Sequence, residues 1–345
     1  MASFAAAAIA TRPFLGRLTA RIGRRAVMMT GASIAASAGA LIGLSTSLWH
    51  VIALRGIMGA GEAMVFVAAA TLIADLSPPH RRAEAASYFS VAVFGGIGLG
   101  PSIAEWVLGD DRFATAFLVA AGFSAAAAIA VLGVPARVDR AQPAPGKLPF
   151  FHRAALWPGL VLASGIAAFA TYAAFIPEYS LSVGLSGSAG LFFVYSLVSI
   201  VLRIGGAKLP ERMGAHFMVT VALTTLASSL LLVGLVGEPW ALWVSAFGMG
   251  TGMAFLYPSL MANVVNRVSD TERATALSSF TMFFEIGSIV GGVALGAIGE
   301  IYSKPAGFVG GAVLAFSGLW VLWNRVIEAR QPDQRPVGPT PITAS

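Results

Sequence analysis

The chain consists mainly of apolar segments about 20 residues long, separated by short loops that hold most of its charges. Hydrophobic residues make up 57% of the 345 positions and charged residues only 11%, and the mean hydropathy is +0.79. Ordinary soluble domains carry roughly 25% charged residues, so this composition excludes them. An apolar segment of about 20 residues can cross the hydrocarbon core of a bilayer as a helix. The sequence therefore predicts an all-α integral membrane protein.

The loops on the two sides of the predicted spans differ in charge. Of the 22 basic residues, only Arg112 and Lys304 fall in the loops of one side, while Arg55 and Arg203 fall within spans. The others, Arg12 among them, fall in loops of the opposite side or in the C-terminal tail. Because Lys and Arg accumulate in cytoplasmic loops, that side and the C-terminus are predicted to be cytoplasmic. We expect a multi-pass protein of the bacterial inner (plasma) membrane, in which Arg203 extends to the membrane edge.

Residues 191 positions apart match repeatedly along the chain. The most distinctive segment, residues 16–25, holds four arginines and two glycines, and the preceding apolar run, Ala2 to Ala10, is too short to span a membrane. We therefore interpret residues 16–25 as a cytoplasmic turn after the tail of a helix. Further pairs at this spacing are Arg12 and Arg203, Gly59 and Gly250, Gly61 and Gly252, Arg82 and Arg273, Ser87 and Ser278, Gly96 and Gly287, and Gly100 and Gly291. A constant spacing across several apolar segments predicts a transporter with two parallel halves.

The repeated turn resembles the loop signature of the major facilitator superfamily, G-x-L-a-D-R-x-G-R-[RK]. The first copy has Ala20 where the signature has its acid, whereas the second copy keeps the acid as Glu211 but has Ala207 for the first glycine. The matching positions are Gly16, Leu18, Arg21, Gly23, Arg24 and Arg25 in the first copy, and Glu211, Arg212 and Gly214 in the second. The resemblance implies a secondary transporter with two pseudo-symmetric helical halves, in which this motif closes the cytoplasmic side.

The resemblance also implies the domain organisation. Residues 1–134 would form an incomplete N-terminal half with helices 2–6 of the family, and residues 135–152 a cytoplasmic linker. Residues 153–328 would form the C-terminal half with helices 7–12, and residues 329–345 a disordered tail. We expect about ten complete transmembrane helices and a partial helix 2. Because the counterpart of the span near residues 153–178 projects before Met1, the native protein is expected to begin upstream, with helix 1 absent from this chain.

Three ionisable residues deep in predicted spans, Arg55, Glu62 and Glu285, are candidates for proton coupling or substrate binding. Charge within a membrane is costly and usually marks a substrate or ion path. Residues 55–61 also resemble the family motif R-x-x-x-G-x-G, which is associated with proton coupling. We expect Arg55 to tune one of the two carboxylates. Two alternatives are open: Arg55 and Glu62 pair with other helices for structural reasons only, or Glu285 binds a cationic substrate.

Residues 95–101 resemble the family's antiporter motif, G-x-x-x-G-P-x-x-G, at Gly96, Gly100 and Pro101, with Ala104 in the last position. Glycines four residues apart let two helices approach closely and proline kinks a helix, which predicts a tight pivot here; small-residue packing is the alternative. The resemblance implies proton-coupled efflux of small organic or drug-like molecules by alternating access. The alternatives are a sugar or metabolite importer of the same superfamily, and a truncated or transport-inactive membrane protein.

Symmetry with Glu62 and Arg55 predicts that one helix of the second half turns its methionines and Tyr257 toward a cavity. Together with aromatic residues of other helices they would form a wall suited to amphipathic molecules; packing or lipid contact is the alternative for each residue. Its candidates are Tyr172, Tyr195, Met249, Met253, Tyr257 and Phe284. No enzyme activity, cofactor or metal site is expected, because the four histidines are scattered, cysteine is absent and a phosphate-binding glycine loop is missing. The expected energy source is the proton gradient. The expected partners are the lipid bilayer, protons and a small-molecule substrate, with no nucleic acid, and the protein is expected to be a monomer.

Overall fold

The computed structural model describes residues 2–108, 113–134 and 150–326, which are mostly helical and contain no strand in these ranges. The predicted all-α class is therefore confirmed. Most of the predicted linker, residues 135–149, and the predicted tail, residues 329–345, lie outside the described residues.

The first half consists of five long helices. They are α1 (Ala2–Ile22), α2 (Arg24–Gly43), α3 (Leu48–Leu76), α4 (Arg82–Leu108) and α5 (Phe113–Ala130). Short 3-10 turns, Pro79–Arg81 and Val131–Gly133, precede α4 and follow α5.

The second half begins with a 3-10 turn at Arg153–Ala155 and contains two short helices among the long ones. Its helices are α6 (Leu156–Ser182), α7 (Ala189–Gly205), α8 (Leu209–Met213), α9 (Ala215–Leu235), α10 (Pro239–Val265), α11 (Arg273–Ile289), α12 (Leu295–Ile301) and α13 (Lys304–Val321). A π-helical segment, Val290–Ala294, joins α11 to α12, and another, Leu322–Val326, follows α13.

Seven helical segments in the described ranges are long and apolar enough to cross a membrane by length and composition. Burial separates central helices from peripheral ones. In segment Arg153–Ser182, 78% of the residues of its most apolar stretch are buried in the protein. In segment Phe113–Gly133 the corresponding share is only 11%. An apolar helix that is scarcely buried by protein needs an apolar solvent, so α5 is placed against lipid and α6 in the centre of the bundle.

The first connection differs from its sequence-based interpretation. Residues 2–10 do not end a helix, because α1 continues without interruption to Ile22. Gly16, Leu18 and Arg21 therefore lie in α1, and Gly23, with φ 86°, is the one residue between α1 and α2. Its counterpart Gly214, with φ 90°, precedes α9 in the same way. Side chains disfavour positive φ, which explains a glycine at this point of each half.

The two halves meet along α1 and α11 on one side and along α4, α7 and α10 on the other. Two hydrogen bonds across this interface obey the internal repeat. Ser87 Oγ donates to the backbone oxygen of Arg203 at 2.8 Å, and Ser278 Oγ donates to the backbone oxygen of Arg12. Adding 191 to both numbers of one pair, or subtracting it, gives the other pair, so the repeat is expressed in the packing of the halves.

Candidate functional site

A buried arginine joins two carboxylates at the interface of the halves. Arg12 lies in α1 and is 1% exposed. Its Nη2 atom donates a hydrogen bond to Oε1 of Glu285 at 2.9 Å and lies 3.5 Å from Oε2 of Glu62. Glu285 is on α11 of the second half and its side chain is 8% exposed, whereas Glu62 is on α3 of the first half and its side chain is 36% exposed. We call Arg12, Glu62 and Glu285 the charge cluster.

The charge cluster corrects two sequence-based predictions. The short apolar run before Arg12 predicts a cytoplasmic loop at this residue, but Arg12 is a buried residue of α1. Arg55 is expected from the sequence to tune a carboxylate, but the guanidinium found beside both carboxylates is that of Arg12. The Arg55 guanidinium lies 5.6 Å from the ring centre of Phe4. The match between Arg12 and Arg203 in the internal repeat is the sequence signal that could have identified Arg12.

Two aromatic rings pack beside the charge cluster. Phe66 is one helical turn beyond Glu62 on α3, and its ring centre is 5.8 Å from the Arg12 guanidinium. It also meets Tyr257 of α10 edge to face, with ring centres 5.8 Å apart. Phe66 and Tyr257 are 191 positions apart and are therefore equivalent in the internal repeat. Their contact joins equivalent positions of the two halves across the interface.

Arg203 is the counterpart of Arg12 and is also buried. It lies in α7 with 0% exposure, so the prediction that it extends to the membrane edge is wrong. Its Nη2 donates to the backbone oxygen of Met253, and its Nε donates to Ser199 Oγ at 3.1 Å. The ring centre of Phe94, on α4 of the other half, lies 4.0 Å from the guanidinium carbon.

Arg12 and Arg203 occupy equivalent surroundings that differ in charge. Met253 is the counterpart of Glu62, and Phe94 is the counterpart of Glu285. Each arginine thus faces one residue of its own half and one of the other half at matching positions. Arg12 meets two carboxylates there, whereas Arg203 meets a backbone carbonyl and an aromatic ring.

A second group of polar contacts between the halves lies at one end of the bundle. We call this end the basic face; it carries residues 77–81, 206–214 and 266–272 between helices. Asp75, at the end of α3, forms ion pairs with Arg24 of its own half and Arg273 of the other half. The counterpart of the pair between Asp75 and Arg273 is a hydrogen bond from Arg82 Nη1 to Asn266 Oδ1, at 2.7 Å.

The acid of the second loop motif contacts the start of a helix in the other half. Glu211 Oε1 accepts a hydrogen bond from the backbone N–H of Glu84, in the first turn of α4, at 2.9 Å. Helix N-termini carry unpaired N–H groups and favour negative charge. Glu84 itself accepts two hydrogen bonds from Arg81, at 2.7 and 3.0 Å, and these lower the pKa of Glu84 from its ordinary value of 4.5.

The first loop motif also lies close to a helix of the other half, but it has no acid there. A Cβ atom added to Gly16 would collide with Thr275 in α11, so α1 approaches α11 closely there, while Ala20 supplies no carboxylate. Leu18 packs against the buried cluster around Leu15. Among the other predicted motif residues, Arg24 is buried and pairs with Asp75, Arg25 is half-buried, and Arg21 and Arg212 are exposed.

Among the described residues, the glycines of the antiporter-like motif have no close neighbour of the kind that the sequence predicts. A Cβ added to Gly96 or Gly100 meets nothing within 4 Å in the described part of the chain. Their counterparts do pack closely: a Cβ on Gly287 would meet Ala163 and Ile166, and one on Gly291 would meet the backbone of Ala167. Both contacts are with α6. The side chain of Pro101 lies outside what the structure describes.

The predicted cavity wall is largely packed in this conformation. Five of its six residues are at most 2% exposed, and Phe284 is half-buried, so an open aromatic wall is not found at these positions. The five are Tyr172, Tyr195, Met249, Met253 and Tyr257. A cavity of about 690 Å³ lies instead at the basic face, lined from both halves by residues that include His80, Glu211, His216 and Asn263.

Comparison with protein families gives one description for nearly the whole chain. The family model of the Major Facilitator Superfamily matches residues 1–239 and, in a second match, residues 192–344. Among similar curated proteins is an uncharacterized MFS-type transporter of Pseudomonas aeruginosa (strain UCBPP-PA14), 26% identical over 329 residues, covering 91% of this chain and 80% of the relative. Another, from Burkholderia mallei (strain SAVP1), is 26% identical over 345 residues and covers 94% and 81%.

Solved structures give the same fold at lower identity. The human organic anion transporter MFSD10 (TETRAN) superposes with a TM-score of 0.78 at 18% identity, covering 92% of this chain and 82% of that one. A variant of the E. coli fucose:proton symporter, FucP, has a TM-score of 0.76 at 14% identity, covering 93% and 88%. The predicted arrangement of two helical halves agrees with these structures.

Proposed function

Because this chain belongs to the Major Facilitator Superfamily of secondary transporters, we propose that its charge cluster couples proton movement to substrate transport. The observation that carries the proposal is that one buried guanidinium, Arg12, serves two carboxylates from opposite halves. With both carboxylates ionised, the charge cluster has a net charge of −1, since one positive charge meets two negative ones. Binding of one proton makes it neutral. In a buried site, neutral and charged forms differ strongly in solvation, so the protonation state can bias the conformation.

The two carboxylates are suited to different steps. Glu62 has the more exposed side chain of the two, so we assign to it the exchange of protons with water. The bond between Arg12 and Glu285 crosses the interface of the halves. When a proton reaches Glu285, this ion pair is lost and Arg12 keeps only its partner in its own half. The separation of α1 from α11 then becomes easier, which is the movement that would open the basic face.

We propose efflux of small organic molecules as the direction of transport, with the basic face in the cytoplasm. The resemblance of residues 95–101 to an antiporter motif supports efflux. The orientation is supported by the loops on the side of the basic face, which hold more Arg and Lys than the loops of the opposite side. The solved structures that share this fold include an organic anion transporter and a fucose:proton symporter, and at 18% and 14% identity they bear on the fold alone.

The coupling proposal is tested with the full chain reconstituted in liposomes under an imposed pH gradient. Lumenal pH is recorded with a trapped dye while a panel of amphipathic compounds is added on either side. Wild type should move protons only when a transported compound is present. Glu285→Gln should still bind the compound but lose the response to the gradient, because the carboxylate that gives up Arg12 can no longer titrate.

The matched control is Arg325→Gln, which removes one charge from an exposed side chain over Trp157, outside the charge cluster. It should behave as wild type. Full proton-driven transport in both Glu285→Gln and Glu62→Gln would overturn the assignment of the charge cluster. If the pH gradient instead drives the compound in the direction of uptake, the proposed proton coupling stands and the proposed direction of transport is wrong.

A further inference from the structure

Arg203 is a buried cation whose partners among the described residues carry no charge. We propose that Arg203 binds the anionic group of the transported molecule, an amphipathic organic carboxylate, which names the substrate class and rests on the proposed transport function. Arg203 is 0% exposed, and its contacts are a backbone carbonyl, the Ser199 hydroxyl and the Phe94 ring. A buried charge without a counter-charge is costly, so a site of this kind favours an incoming ion of opposite sign.

Hydrogen-bond donors remain available around this cation. Nη1 of Arg203 is buried, and within the described residues it has no hydrogen-bond partner. The same holds for the hydroxyls of Tyr195, two helical turns before Arg203 on α7, and of Tyr257, one turn beyond Met253 on α10. These two tyrosines are 1% and 2% exposed. A guanidinium N–H and two phenol O–H groups together match the acceptor set of a carboxylate.

The internal repeat gives an independent reason to expect an anion here. At the equivalent point of the other half, Arg12 is compensated by Glu62 and Glu285. The corresponding positions next to Arg203 are Met253 and Phe94, which supply no carboxylate. At these equivalent positions the chain keeps the cation in both halves but has acids in the first only, and a substrate carboxylate would take the place of the missing acid.

Access to Arg203 depends on the separation of the halves. The Phe94 ring that covers the guanidinium belongs to α4, whereas Arg203 belongs to α7 of the other half. Movement of α4 away from α7 removes this ring and exposes the cation, and the aromatic side chains nearby suit the apolar part of an amphipathic molecule.

Tyr257 connects this site to the charge cluster. It lies one helical turn beyond Met253, whose backbone oxygen accepts from Arg203, and its ring packs against Phe66, whose ring centre lies 5.8 Å from the Arg12 guanidinium. An anion bound at Arg203 and a proton bound in the charge cluster therefore act on a shared neighbour, which provides a physical route for their coupling.

The test is equilibrium binding to the purified full chain without any pH gradient, using benzoate and its neutral isostere benzamide as probes. Binding is followed by titration calorimetry and by the shift in thermal unfolding. Wild type should bind benzoate about tenfold more tightly than benzamide, as expected for a charge-assisted hydrogen bond. Arg203→Gln should remove this preference, while Arg325→Gln, which loses one exposed charge elsewhere, should keep it.

A second variant covers the case in which Arg203→Gln does not fold. Met253→Glu places a carboxylate where Glu62 stands relative to Arg12, so Arg203 gains an internal partner and the benzoate preference should again be lost. Equal binding of benzoate and benzamide by wild type would overturn the proposal, as would a preference that persists in folded Arg203→Gln or Met253→Glu. Because no gradient is used, a benzoate preference together with failed proton coupling would reject only the proposed coupling.

Discussion

Arg12 and Arg203 lie 191 positions apart and are both almost completely buried. Each contacts a side chain of the other half, and the two side chains differ in charge. Arg12 reaches a carboxylate on α11, whereas Arg203 reaches an aromatic ring on α4. The two arginines are thus equivalent in position and distinct in charge balance. In the functions proposed above, the site at Arg12 takes up a proton and the site at Arg203 takes up an anion.

The charge balance around Arg12 leads to a stability prediction. Arg12→Gln should lower the free energy of unfolding by about 3 kcal/mol or more, because it leaves Glu285 buried without its cation. The triple variant Arg12→Gln, Glu62→Gln, Glu285→Gln should recover most of that loss without recovering proton-driven transport. Thermal unfolding in detergent and the liposome assay measure the two properties separately. A single variant as stable as wild type would contradict the importance of this ion pair.

A second prediction concerns the acid that the first loop motif lacks. Glu211 shows what such a carboxylate does, since it accepts the N–H of Glu84 at the start of α4. Ala20→Asp should place a carboxylate near the start of α11 and stabilise the closed basic face by about 1 kcal/mol. Glu211→Ala should have the opposite effect.

Because the chain has no cysteine, the opening of the basic face can be measured with a single introduced thiol. Ser278→Cys places a single thiol where α11 contacts the Arg12 backbone. In that background, Ala20→Asp should slow labelling of the thiol by a maleimide, and Glu211→Ala should accelerate it. Identical labelling rates in all three proteins would mean that these acids do not control the basic face.

A third prediction compares Gly287 with its counterpart Gly96, which serves as the control. Gly287→Ala should destabilise the fold, because the new methyl group would meet Ala163 and Ile166. Its counterpart Gly96→Ala should be neutral or slightly stabilising, since added Cβ atoms find open space there and alanine favours helix by up to about 1 kcal/mol. Thermal unfolding of the two variants should therefore shift in different directions. Equal destabilisation would indicate a close contact at Gly96 as well.

The fourth prediction concerns pH at the basic face. The hydrogen bonds from Arg81 lower the pKa of Glu84, so Glu84 stabilises the fold above its ordinary value of 4.5, and this contribution is lost as the pH falls through the lowered pKa. The stability difference between wild type and Glu84→Gln should be constant from about pH 8 to about pH 5 and shrink below that range. A difference that disappears already near pH 6 would show that another group controls this contact.

Much of the fold could be predicted because membrane helices can be recognised from local sequence. An apolar segment of sufficient length must be helical to satisfy its backbone in lipid, and Arg-rich connections separate one span from the next. The internal repeat then indicates the pairing of the halves. Glu62 and Glu285 could be identified as candidates by the same reasoning, since isolated charges in apolar segments are rare.

The identity of their partner could not be predicted, because it depends on where a helix ends. Arg12 follows a short apolar run and precedes Pro13, so a local interpretation places it outside a helix. Only the packing of α1 against α11 reveals that it is buried. The position of Arg203 could not be predicted for a related reason. Its distance from the span end allows exposure, and the contacts that cover it come from Met253 and Phe94, which are distant in sequence.

The connection at Gly23 has a mechanical consequence. In the first half, α1 and α2 are separated by a single residue, so a displacement of α1 passes directly to α2 as the motion of a nearly rigid body. In the second half, residues 206–208 and the short helix α8 intervene before Gly214, and this longer joint can absorb part of any displacement. The connection between α1 and α2 is therefore stiffer than the connection between α7 and α9. A displacement of α1 should therefore reach α2 largely undiminished, whereas part of a displacement of α7 can be absorbed before α9.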